Sequence, residues 1–347
     1  MTGSAADRVL QVRDLKICLK RSGVQATILD GVDLALGRSE ILGVVGESGS
    51  GKSTLCRAIA RLLSPDLAVV SGTIELGGQN LLSMRPSSVH QMEQAGIAMV
   101  FQNAYAALDP LIRVGDQIVE AVQARSNVSA AVALERSVEL LSRMGLDDPG
   151  KRLGDYPQQF SGGQRQRIVV AIALASDPAV LLADEPTSAL DVTTQASILQ
   201  LFREICTERG TAIVFVSHNY AVVSQVCSNI LVLYGGKALE RGPSRTLLHA
   251  SRHPYTSGLI ASLPSVDKRV DRLPSITGSP PTVGESIAGC PFHPRCGFAE
   301  DRCLGADVAL KELGGGQASA CIRVDEIWPT NQIGRGDDRI ERLEKTS

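Results

Sequence analysis

The stretch Gly46-Glu47-Ser48-Gly49-Ser50-Gly51-Lys52-Ser53-Thr54 decides how this chain is read. It has the spacing G-x-x-x-x-G-K-[ST]. A short apolar run, residues 41–45, precedes it, and a segment with helical patterning, Thr54 to Leu63, follows it. Strand, loop and helix in that order are the context of a phosphate-binding P-loop, as opposed to a chance glycine-rich turn. Its glycines let the backbone curl so that successive N–H groups face an anion. The helix that follows presents its positive end to the same charge. Gly46 and Ser48 to Thr54 are therefore the candidate nucleotide contacts. Lys52 is placed to reach the β- and γ-phosphates, and Ser53 to put its hydroxyl on Mg²⁺.

A triphosphate site also needs a metal carboxylate and a group that handles water. Val180-Leu181-Leu182-Ala183-Asp184-Glu185 offers both. The apolar residues predict a central strand. Asp184 at its carboxyl end can hold Mg²⁺, and Glu185 can polarise the attacking water. Further short apolar runs at 97–101, 212–216 and 230–234 alternate with helical stretches at 111–146, from Ser161 to about Ala175, and from Thr194 to Arg209. Strands and turns are expected over 8–45, with a turn at Asp30-Gly31. Strands alternating with helices predict an α/β layer fold with a mostly parallel sheet.

Composition agrees with that fold. The 347 residues suggest two domains, or one large domain with an appendage. Aromatics are only 3% of the chain, so its core must be aliphatic, as in a parallel sheet covered by helices. A net charge of −2 gives no broad footprint for nucleic acid. Residues 1–16 lack the apolar stretch of a signal peptide. Residues 211–236 carry no Asp, Glu, Lys or Arg, but polar residues such as Ser217, His218, Asn219 and Ser228 interrupt them. They read as strand, turn, helix and strand, and no transmembrane segment is expected.

With these motifs in place, the chain resembles the ABC transporter ATPase family. Phe160-Ser161-Gly162-Gly163-Gln164-Arg165-Gln166-Arg167 is similar to its signature motif, with Phe160 where Leu is usual. Ser161 by itself reads as a helix N-cap. The resemblance implies a head-to-tail dimer, in which Ser161, Gly162, Gly163 and Gln164 close over ATP held by the other subunit. It also implies a Q-loop at Gln102, touching Mg²⁺ and water, a D-loop at residues 188–191 including Asp191, and a switch histidine at His218. Glu185, His218 and Gln102 are then the hydrolytic set, and the chain contributes competently to both composite sites. The family stacks adenine on an aromatic, yet residues 1–100 contain no Phe, Tyr or Trp. Leu19 is the matching position, so weaker or less adenine-selective binding is expected.

Composition shifts near Gly242, after which Pro, Gly and Ser abound. Cys290, Cys296, Cys303 and Cys321 give C-x5-C-x6-C-x17-C, a thiol set that leaves Zn²⁺ and iron–sulfur both open. Cys18, Cys56, Cys206 and Cys227 lie in expected core elements and read as small hydrophobes. His253-Pro254 fits a helix start, and His293 reads as structural. With HPYTSGLIASLP at 253–264, the cysteine segment resembles the C-terminal extension of oligopeptide/dipeptide transporter ATPases, which implies a [4Fe–4S] cluster on the four cysteines. The expected organisation is a P-loop ATPase core at 1–250, with a helical signature subdomain at about 103–175. A four-Cys domain at 251–325 and a charged tail at 326–347 follow. The resemblance further implies a peripheral subunit at the cytoplasmic face of the inner membrane. Its partners would be a second ATPase subunit, two permease subunits and an extracytoplasmic substrate-binding protein, with no nucleic acid. Peptides are the expected cargo. Nickel or metal chelates and glutathione-like peptides remain alternatives, as does a soluble ABC ATPase acting on nucleic acid or ribosomes.

Overall fold

The computed structural model describes residues 8–21, 24–84, 96–188, 190–263, 275–282, 284–285 and 287–328. Ala189 of the D-loop, Pro264 and residues 329–347 of the expected tail lie outside them. Two long strands open the chain, β1 (Arg8–Arg21) and β2 (Val24–Gly37), paired antiparallel. The turn expected at Asp30-Gly31 is instead a bulge inside β2: the register slips as Leu15 pairs with Val32 and Ile17 with Leu29. Gly31 takes φ +67° there. An extra residue taken up at positive φ bends a strand without ending it. Asp30 at the bulge bridges Lys16 (2.8 Å) and Lys237 (2.7 Å).

The fully buried strand β3 (Ile41–Val45) leads through the glycine-rich loop into α1 (Lys52–Ile59). β4 (Leu67–Leu76), which the sequence reading missed, pairs with β1 and with the two-residue β5 (Gln79–Asn80), so that β2-β1-β4-β5 form an antiparallel sheet of their own. β6 (Ile97–Val100) comes next. The helical stretch expected over 111–146 is two helices, α2 (Val114–Arg125) and α3 (Ala130–Arg143). The break falls at polar Ser126-Asn127, and Ser129 caps α3 by accepting the Val132 N–H. Leu111 and Ile112 lie before α2 and are exposed. α4 (Gly162–Ala175), β7 (Val180–Asp184), α5 (Val192–Arg209), β8 (Ala212–Ser217), α6 (Tyr220–Val226) and β9 (Asn229–Tyr234) follow as expected within a residue or two. The charge-free stretch 211–236 is thus strand, helix and strand. No helix among the described residues is long and apolar enough to cross a membrane.

β6-β7-β8-β3-β9 run parallel. The sheet does not stop there: β10 (Lys237–Pro243) adds antiparallel to β9. After α7 (Ser244–Ala250) and α8 (Pro254–Ala261), the hairpin β11 (Lys311–Gly314) and β12 (Gln317–Ser319) pairs with β10. Residues from beyond position 310 therefore extend the same eight-stranded sheet that carries the phosphate loop. Alternate residues of its strands feed two cores, as strand geometry requires. Leu181, Ala183, Ile213 and Phe215 pack with α4 and α5, while Val180, Leu182, Ala212, Val214 and Val216 pack with α1 and the antiparallel sheet.

Candidate nucleotide site

β3 and β7 both run parallel to β8, so they finish at the same end of the sheet, and the segments leaving them meet. Gly46 has φ +155°, and a Cβ there would lie 2.1 Å from the Leu233 carbonyl oxygen. Gly51, at φ +102°, precedes α1, and a Cβ would strike Leu29 at 2.4 Å. Only glycine fits either position. Ser50, Gly51 and Lys52 are buried, Ser48 and Gly49 exposed, and Ser53 and Thr54 between. Lys52 Nζ donates to the carbonyls of Gly46 (2.7 Å) and Glu47 (2.8 Å), which holds the ammonium against the loop. Burial pulls its pKa down, opposed by the nearby carboxylates Glu185, Asp184 and Glu47. Ser53 Oγ donates to Asp184 Oδ1 at 2.9 Å, so two of the three candidate Mg²⁺ ligands touch. Burial raises the Asp184 pKa and the Ser53 bond opposes it. A divalent cation between them would favour the charged form.

Glu185 is bracketed. Gln102 Nε2 donates to its Oε2 at 2.9 Å, and His218 Nδ1 stands 3.2 Å from its Oε1. Its backbone is left-handed, φ +49°, a conformation costly for a non-glycine residue and often tied to function. Its own N–H bonds the Val216 carbonyl at 3.0 Å. The ends of β6, β7 and β8 thus bring Gln102, Glu185 and His218 together beside Ser53 and Asp184.

The signature residues make their contacts elsewhere. Ser161 Oγ accepts the Gln164 N–H (3.3 Å), and Gln164 Oε1 accepts the Ser161 N–H (3.0 Å), a capping box that starts α4. Gly163 faces Thr194, whose Cγ2 would lie 2.4 Å from an added Cβ. Asp191 caps α5, accepting from Thr194 N–H (3.0 Å) and Thr194 Oγ1 (2.7 Å). Signature and D-loop are therefore joined through Thr194, which sequence reading did not pick out. Leu19 sits on β1, half-buried, paired with Ala26 and Leu67.

The cysteine segment lies against this site. Arg295 forks onto the Glu47 carboxylate (2.5 and 3.1 Å), and the Tyr255 hydroxyl accepts the Glu47 N–H at 2.8 Å. Neither contact has a sequence signal, because Glu47 fills a free position of the motif. Cys290, Cys296, Cys303 and Cys321 all line one cavity, together with Phe292, His253 and Ile327. All four are free thiols. Burial pushes Cys296 up to about 12 and Cys321 to about 11. Among the described residues, no three His, Cys, Asp or Glu side chains are gathered as a metal-ion site. The expected cluster site is therefore not formed as such. Its four thiols share one cavity wall. His253 Nδ1 accepts the Tyr255 N–H, so the proton sits on Nε2, which is buried in that wall without a partner among the described residues. Four sulfur donors and a spare N–H thus line one apolar cavity. Cys18, Cys56, Cys206 and Cys227 are buried in the cores, as expected.

Fold and site together define an ATP-binding cassette. The ABC transporter family model matches residues 29–188, and the model of the oligopeptide/dipeptide transporter C-terminal region matches residues 239–303. A probable peptide ABC transporter ATP-binding protein of Sinorhizobium fredii is 41% identical over 324 residues, 93% of this chain and 97% of that one. The oligopeptide transport ATP-binding protein OppD of Escherichia coli is 37% identical over 323 residues, covering 93% and 95%. A dimeric ATP-binding cassette, solved in a post-hydrolysis state with ADP and Pi, superposes with TM-score 0.61 at 27% identity, covering 68% of this chain and 99% of that one. The chain belongs to the ABC transporter ATPase family, among the ATP-binding proteins that carry the oligopeptide/dipeptide C-terminal region.

Proposed function

We propose that this chain is the ATP-hydrolysing subunit of a peptide importer. The observation that carries the reading is Glu185 in a left-handed backbone, with Gln102 and His218 on its two carboxylate oxygens and the Ser53–Asp184 pair beside it. Ser53 and Asp184 hold Mg²⁺, Lys52 and the loop N–H groups hold the β- and γ-phosphates, and Glu185 takes the proton of the attacking water. Gln102 and His218 orient that water and the γ-phosphate. Ser161, Gly162, Gly163 and Gln164 supply the anion site for the ATP of a second ATPase subunit. Val192, 84% exposed next to Asp191, suits a D-loop that meets that subunit. The exposed apolar residues Tyr105, Leu111 and Ile112, just past Gln102, suit permease helices. Two permease subunits, an extracytoplasmic binding protein and a position at the inner-membrane cytoplasmic face follow from this role. Peptide cargo rests on the relatives' names and the C-terminal match.

Glu185→Gln tests the reading. ATP binding and nucleotide-dependent dimerisation are expected to persist, with turnover down about a thousandfold or more, as for loss of a group acting on the reacting water. Retained phosphate release in the reconstituted complex would overturn the role of Glu185.

The cavity thiols Cys290, Cys296, Cys303 and Cys321 are proposed to hold a [4Fe–4S] cluster, with Zn²⁺ as the alternative. Zinc draws four donors to about 2.3 Å of one point. When bound, the group would cross-link residues 290–321 in place of an apolar core. Anaerobic purification should yield a coloured protein containing iron and sulfide. A colourless zinc protein would decide for the alternative.

A further inference from the structure

Glu47 is an odd residue to find in a phosphate-binding loop. Its carboxylate is three-quarters buried, and it sits one position after Gly46 in the loop that must receive up to four negative charges. Left alone it would repel the ligand. It is not left alone. Arg295 reaches it in a two-pronged pair, Nη1 to Oε2 at 2.5 Å and Nη2 to Oε1 at 3.1 Å.

Arg295 is itself almost fully enclosed, with 5% of its side chain exposed, and every donor direction is used. Nε donates to the Thr277 carbonyl (2.8 Å), Nη1 also to the Tyr234 hydroxyl (3.1 Å), and Nη2 also to the Ile276 carbonyl (3.3 Å). A planar fork fixed on all sides cannot follow a shifting partner, so it sets where the partner sits. Glu47 is gripped on its backbone too. Its N–H goes to Tyr255 Oη, and its carbonyl accepts from Lys52, the phosphate-binding lysine. Tyr255, Tyr234 and Phe292 pack as an aromatic trio, ring centroids 4.6 to 5.4 Å apart, under this contact. Arg295 ends the single turn His293–Arg295, between Cys290 and Cys296, and Phe292 precedes that turn. The cavity-lining cysteines thus frame the segment that delivers the fork.

We propose that Arg295 is a positioning residue of the phosphate loop, which cancels the charge of Glu47 and fixes the loop around Lys52, so that the cysteine segment is part of the nucleotide site. This rests on the nucleotide-site reading above and does not require the cavity to hold a cluster. By linkage, whatever orders the cysteine turn strengthens nucleotide binding, and bound nucleotide orders the turn by the same factor.

The test is equilibrium binding of MgATP, MgADP and AMP to the full chain, with thermal melts to check folding. Arg295→Ala is expected to weaken ATP binding about tenfold, ADP less and AMP least, because an uncancelled carboxylate opposes phosphate charge. Arg295→Ala with Glu47→Gln should recover ATP binding to within about threefold of wild type. General loosening of the fold would weaken all three ligands equally and would not be relieved by Glu47→Gln. Should Arg295→Ala fail to fold, Arg295→Lys carries the comparison. It keeps the charge but loses the fork, and a loss of about threefold, graded in the same order of ligands, is expected. ATP affinity within twofold of wild type in Arg295→Ala (or in Arg295→Lys where that variant carries the test), or an ungraded loss, overturns the inference while leaving the nucleotide site intact. Wild-type protein that binds no ATP, or binds it as well after Lys52→Ala, overturns the site reading itself.

Discussion

Glu240 is fully buried, and its Oε1 accepts from the Arg252 N–H (2.6 Å) and Gln317 Nε2 (2.9 Å). Burial pushes its pKa up to about 7. The folded protein therefore holds this proton more tightly than the unfolded chain, where the group titrates near 4.5. Its contribution to stability falls as pH rises from about 4.5 to about 7 and is level above. Buried His253 acts in the opposite sense. Its pKa is lowered to about 3 from 6.5, so its contribution rises with pH between those values. The two slopes offset each other between pH 4.5 and 6.5, where their windows overlap. Glu240→Gln removes one of them. The melting temperature of the variant minus that of the wild type should climb between pH 4.5 and 7, then level off. A difference that is constant across pH would rule out a titrating Glu240. No sequence pattern marks this residue, since a charged group inside a strand reads as solvent-facing until β12 covers it. The candidate nucleotide-site residues are the reverse case. Lys52, Ser53, Asp184 and Glu185 were legible because the spacing of a phosphate loop and the end of an apolar strand are local signals. Arg295 was not legible, because its partner is 248 positions away.

At the scale of elements, the helix starts carry the site. α1 follows the glycine-rich phosphate loop and α4 starts at the Ser161 cap with two glycines in its first turn; the first was readable from the loop's spacing, the second from Ser161. The reason for Gly163 was not. The second glycine of the signature is required by Thr194 of α5, not by the helix. Gly163→Ala should push α4 and α5 apart and lower ATPase activity about tenfold, consistent with an overpacking cost of 1–3 kcal/mol. Thr194→Ser removes the methyl that collides, so the double variant should regain part of that loss. Steady-state ATPase assays of the complex read both effects, and a double variant no better than Gly163→Ala would show that the glycine serves something other than this contact. Bulges have a similar lesson. Asp30-Gly31 looks like a turn because the same residues serve both, and only the pairing of β1 across the whole of β2 made it a bulge.

For the whole molecule, the consequential feature is that the C-terminal hairpin finishes the sheet. β12 pairs Ser319 with Glu240 and Ala318 with Arg241, while Ser319 Oγ donates to the Arg252 carbonyl at 2.7 Å. A chain ended at Leu310 would leave β10 as an open edge and strip Glu240 of Gln317. It should melt several degrees lower and self-associate through that edge, read by calorimetry and size-exclusion chromatography. A truncated chain as stable and monodisperse as the full one would show that the hairpin is dispensable.

The amino-acid sequence alone determined the α/β class, the order of the parallel strands β3 and β6 to β9 with the helices α1 and α4 to α6 among them, the phosphate loop and its acidic partners. All of these depend on local periodicity, on glycine and on caps, which act within a few residues. The tertiary structure alone decided that β10 to β12 run antiparallel at the sheet edge, that Thr194 fixes the signature glycine, and that Arg295 closes on Glu47. Those outcomes depend on which surfaces meet once distant segments are packed, and a linear pattern carries no information about that meeting.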